Sequence, residues 1–126
     1  MNMNKKNFRK LVLETASDII ENLPADLREN SADIIFTVSE KPSKEDIDEP
    51  SDYDDTLGLY DGVPVNERSV TGTEIIQSRI TIFRLPLLDM CENINELRKE
   101  IRLTILHELG HHFGYDEHDL EERGLG

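Results

Sequence analysis

The chain has 126 residues, 37% hydrophobic and 33% charged, with a formal net charge of −13. That length suits a single domain over 1–126, able to bury roughly two thirds of the surface its unfolded chain exposes. Such acidity repels polyanions, and the Lys and Arg residues are scattered outside the first ten positions, so nucleic acid is disfavoured as a partner.

The basic start leads into Leu11-Val12-Leu13, which Glu14 and Asp18 cut before it can serve as a signal-peptide core or a membrane span. The cytoplasm is the expected compartment, with no membrane partner. Cys91, the lone cysteine, excludes an intrachain disulfide and reads as a structural thiol. Over residues 7–23, Phe8, Leu11, Val12, Ile19, Ile20 and Leu23 recur as one helical face, and Pro24 ends the helix. Residues 33–38 are β-branched and aromatic and predict a buried strand. From 39 to 56 the chain turns acidic, with Glu40, Glu45, Asp46, Asp48, Glu49, Asp52, Asp54 and Asp55 and two prolines, which predicts a solvated, mobile loop. It lacks the loop glycine and distal glutamate of an EF-hand, so calcium is set aside.

Residues 57–60 predict a short strand, Asp61-Gly62 followed by Pro64 a turn, and 70–76 is ambiguous. Residues 79–85 alternate, with Ile80 and Ile82 on one side and Thr81 and Phe83 on the other, giving a strand that Pro86 stops. An extended peptide would add to the sheet along 79–83 if that strand were an edge. Asn93 with Glu96 three residues on reads as a capping box. Ile94, Leu97, Ile101, Ile105 and Leu109 then recur at helical spacing.

On that helix lies His107-Glu108-Leu109-Gly110-His111, an H-E-x-x-H. Positions i and i+4 share a face, so both imidazoles can reach one zinc ion, while Glu108 flanks it as the base that takes a proton from a zinc-bound water. All four histidines, His107, His111, His112 and His118, fall in the last twenty residues. Gly114 supplies a left-handed stop, turning the chain back toward the metal face, where a third ligand is expected. His112, one step round the helix, is expected at the surface, with support of the site as the second reading. Tyr60 and Tyr115 are candidate donors to a developing oxyanion.

Three blocks, G-L-Y-D-G-V-P-V (58–65), R-I-T-I-F-R-L-P-L (79–87) and H-E-L-G-H-H-F-G (107–114) followed by D-L-E-E-R-G, resemble the small bacterial zincin-like metallopeptidase family. The resemblance covers nearly the whole chain. It implies an α+β fold, a minimal zincin with a backing helix, a small twisted mixed sheet and an active-site helix. It also implies zinc as cofactor and a peptide or protein as substrate. The pattern H-E-x-x-H-x-x-G-x-x-D/E, similar to metzincins and snapalysin-like proteases, puts Glu117 at the third-ligand position beside His107 and His111. His118, one residue on, competes, with Asp116 and Asp119 behind it. Read to Gly126, the sequence holds no counterpart of the methionine turn beneath the metal in metzincins, so a non-catalytic, zinc-containing peptide- or protein-binding module stands as an alternative. A third reading comes from the run His107 to Asp116, which is similar to the H-x-x-x-H-x-x-G-Y-D-H of ribosomal-RNA maturation endoribonucleases. Net charge, Glu108 and Glu117 speak against it.

Overall fold

The computed structural model describes residues 1–46, 56–67 and 77–123. In chain order these form α1 (Lys5–Glu21), α2 (Ala25–Asn30), β1 (Ile35–Ser39), β2 (Gly58–Asp61), β3 (Arg79–Phe83), α3 (Arg84–Met90), α4 (Ile94–Phe113) and α5 (Glu117–Glu122), with a 3-10 turn at Val65–Glu67. The fold is α+β, with a three-stranded mixed sheet in the order β1-β3-β2. Strand β3 runs parallel to β1, Ile35 opposite Arg79, and antiparallel to β2, Gly58 opposite Ile82. Helices α1 and α4 pack on each other, α1 against β1 and α4 against β2 and β3. No helix among the described residues is long and apolar enough to cross a membrane.

Helix α1 starts earlier than its apolar face suggests, because the Asn4 side chain caps it by accepting from the Asn7 N–H at 2.8 Å. Its buried side chains, Phe8, Val12, Ala16 and Ile19, follow the helical period and meet Ile80 and Ile82 of β3 in the core. Helix α4 contributes Leu97, Ile101, Ile105 and Leu109, each at most 1% exposed. Burying four such side chains is worth roughly 6–12 kcal/mol before entropy is charged, so this stripe fixes which face of α4 looks inward. Asn93 caps α4 by accepting from the Glu96 N–H at 2.9 Å. The Glu96 carboxylate reaches one residue beyond the cap, accepting from the Glu92 N–H at 2.7 Å, so the expected capping box is only half formed.

The structure corrects four expectations. Helix α1 stops at Glu21 with Asn22 as its cap, short of Pro24, which instead stands directly before α2 and so helps position Leu27 in the core. Pro86 does not end β3: the strand stops at Phe83, and Pro86 is the third residue of α3, where its missing N–H would have had no intrahelical acceptor. Strand β1 is half-buried, not buried, because it lies at a sheet edge. Strand β3, with partners on both sides, has no free edge to receive a peptide, since alternation reveals a strand's faces and not its neighbours.

Glu40, expected in a solvated loop, pairs with Arg84 at 2.7 Å and Lys5 at 3.3 Å. Arg84 also donates to the Met3 carbonyl, tying the start of the chain to the end of β1 and the start of α3. Desolvation, the largest single cause, pushes the Glu40 carboxyl up, but Arg84 and Lys5 together outweigh it and hold the carboxyl below its usual range. The rest of the acidic loop from residue 47 to 55, the calcium alternative that rested on it, and the ambiguous stretch 70–76 lie outside the described residues. Cys91 is buried, and burial first, with Glu100 and Glu96, pushes its thiol up, as befits a packing residue.

Candidate metal centre

Helix α4 carries His107, Glu108 and His111 in its last two turns and ends at Gly114, whose φ of 76° is left-handed. The Tyr115 N–H reaches back to the Gly110 carbonyl at 2.8 Å and the Gly114 N–H to His111 at 3.1 Å, which closes the helix with a Schellman turn. Beyond this turn the chain leads into α5, which packs against α4. After two residues, Asp116 caps α5 in a reciprocal box, its side chain accepting from the Asp119 N–H and the Asp119 side chain from the Asp116 N–H.

His107 and His111 are exposed, and their rings stand 4.8 Å apart between centroids on one face. Neither imidazole makes a hydrogen bond among the described residues, so both keep their lone pairs for a ligand. The Glu108 carboxylate lies 3.7 Å from His111 Nδ1 and is 8% exposed. Burial raises its pKa, with the nearby His107 and a hydrogen bond from the Tyr60 backbone N–H opposing that rise. Strand β2 packs closely on this part of α4 because residue 58 is glycine. A Cβ there would sit 2.6 Å from Thr104 Cγ2 and 3.4 Å from Glu108 Cγ. Between the start of β2 and α4 a groove of about 330 Å³ opens beside His107 and Glu108. Two larger hollows among the described residues are lined by none of the motif residues.

His112 is not at the surface. It is 1% exposed, and its Nε2–H donates to the Asn30 carbonyl at 2.6 Å. Because a carbonyl only accepts, that bond sets the tautomer, and Nδ1 is left to accept the Tyr60 hydroxyl at 2.8 Å. Asn30 is the last residue of α2, so His112 satisfies a carbonyl that the helix end leaves orphaned. Ser78 lies 3.0 Å from the same Tyr60 hydroxyl. The periodicity held the signal: His112 follows Leu109 by three and Ile105 by seven, on the buried stripe.

Of the residues expected to complete the site, Asp116 and Asp119 are occupied by the α5 cap, and the Asp119 N–H foremost lowers the Asp116 pKa. His118 lies 3.0 Å from Glu122 on its own helix, with its side chain 76% exposed. Glu117 is the first residue of α5, and its side chain lies outside the described residues. Among the described residues no group of three His, Cys, Asp or Glu side chains is assembled to hold a metal. The Tyr60 hydroxyl is engaged with His112 and the Tyr115 hydroxyl accepts from Arg123 at 2.7 Å, so both candidate oxyanion donors already have partners.

A family model described as zincin-like metallopeptidase matches residues 31–126. No curated protein matches the chain.

Proposed function

This chain belongs to the zincin-like metallopeptidase family, and on that premise we propose that it hydrolyses peptide bonds with zinc held by His107, His111 and Glu117 and with Glu108 as the general base. The observation that carries this reading is the division of labour on α4: two exposed imidazoles on one face, neither hydrogen-bonded among the described residues, beside a buried carboxylate whose pKa is raised. Two imidazole nitrogens suit zinc, and a carboxylate oxygen binds it at nearly the same distance. Glu117 is assigned from its register, since it opens α5 three residues after Gly114, while Asp116, Asp119 and His118 are engaged elsewhere.

Zinc, when bound, supplies the Lewis acidity that brings a water's pKa to about 7 and polarises the carbonyl under attack. Glu108 takes the proton of the attacking water and returns it to the leaving amine. Its burial suits that task, since a carboxylate with a raised pKa is a stronger base and a more persistent proton carrier. Strand β2, an edge of the sheet beside this site, is where an extended peptide would add.

Glu108→Gln keeps size and helix propensity and cannot accept a proton. Zinc-loaded Glu108→Gln protein is expected to cleave unfolded or short peptides ~10²-fold or more slowly, at unchanged zinc content. If the zinc-loaded wild-type chain cleaves no member of a diverse peptide library, yet binds some of them and Glu108→Gln binds those equally well, the hydrolase reading fails. The binding module would then stand.

A further inference from the structure

The groove beside His107 and Glu108 continues along α4 toward its N-terminal half, and its lining changes on the way. Leu57 and Leu103 form apolar walls, and Glu100 lies beyond them. Leu103 is 41% exposed, an apolar side chain that the core does not use. Glu100 precedes His107 by seven residues, two helical turns on the same face, so the two lie about 10 Å apart along the axis. The Glu100 carboxylate pairs with no cation among the described residues, although Arg84, Arg102 and Arg123 each find a carboxylate.

Two leucine side chains with a carboxylate beside them that pairs with no cation among the described residues match a side chain with an aliphatic stem and a cationic tip. Lysine and arginine lay their methylenes on apolar surface and carry the charge onward. The net charge of −13 adds an attraction toward cationic peptides over a longer range. We infer that this groove is the specificity pocket for a basic residue of the peptide, with Leu57 and Leu103 holding its stem and Glu100 its charge. The inference rests on the hydrolase reading for its substrate, but selective binding can be measured without cleavage.

The test uses zinc-loaded Glu108→Gln protein and fluorescence anisotropy with labelled peptides that differ at one residue, carrying arginine, lysine, norleucine or glutamate. The arginine and lysine peptides are expected to bind about fivefold more tightly than the norleucine peptide, the size of one partly exposed ion pair. Adding Glu100→Gln removes the difference, and adding Glu100→Lys turns the preference toward glutamate. Equal affinity for all four peptides, no binding, or a basic preference that survives Glu100→Gln overturns the pocket. Cleavage of the same peptides by the otherwise unchanged chain reads the other claim: selective binding without cleavage supports the pocket and sinks the hydrolase, whereas unselective cleavage does the reverse.

Discussion

His111 and His112 are neighbours in sequence and differ in nearly everything else. His112 is 1% exposed, with both ring nitrogens hydrogen-bonded to other elements, whereas the His111 side chain is 50% exposed and beside His107. A turn of about 100° round the helix separates an imidazole that the fold consumes from one that the fold leaves free. One helix thus assembles the core on its inner face and leaves the proposed ligands on its outer face, so stability and metal binding should be separable by mutation. Glu108 sits on the boundary, buried like the core and charged like the site. It is where the separation should fail.

The largest effect concerns what completes the outer face. Glu117→Ala is expected to weaken zinc binding more than about 100-fold, beyond the loss of a supporting group, and His118→Ala by much less. A competitive chelator titration giving the opposite ranking transfers the role to His118. On the inner face, His112→Ala leaves a cavity and strips the Asn30 carbonyl and the Tyr60 hydroxyl of partners. It should destabilise the metal-free protein by about 3 kcal/mol in urea unfolding, against near zero for His111→Ala. Equal values for the two would erase the contrast. Tyr60→Phe, which deletes only the hydroxyl, should cost about 1–2 kcal/mol.

The smallest effect tests the boundary. In the metal-free protein the Glu108 pKa is raised above 4.5 by burial, so the fold favours the protonated form. Its stabilising contribution is full below the unfolded pKa and is lost as pH rises through the folded value. Glu108→Gln removes that loss, so metal-free Glu108→Gln should melt slightly above wild type near pH 7, with the gap gone by about pH 4. A variant less stable than wild type at pH 7 would show that the carboxylate is not strained by its burial.

What the sequence made legible was local. Apolar spacing located α1 and α4, Gly114 its own left-handed stop, and i, i+4 spacing the histidine pair, because helical period and cap chemistry act within a few residues. What it hid was relational. The alternation of β3 showed two faces but not that β1 and β2 flank it, so a central strand read as a possible edge. Pro86 read as a stop because a proline's effect depends on which helical position it takes, and the third position tolerates it. Glu40 looked solvated among acidic neighbours, since its partner Arg84 is 44 residues away. His112 was judged by its neighbour in sequence, whereas the stripe of Ile105 and Leu109 placed it inside.

The central claim is that the outer face of α4 holds the metal, and elemental analysis of protein purified without added metal tests it most directly. Wild type and Glu108→Gln are each expected to carry about one zinc per chain. The His107→Ala, His111→Ala double variant should carry essentially none while keeping the circular dichroism and urea midpoint of the metal-free wild type. A double variant that folds and still holds stoichiometric zinc would contradict the account and put the site elsewhere in the chain.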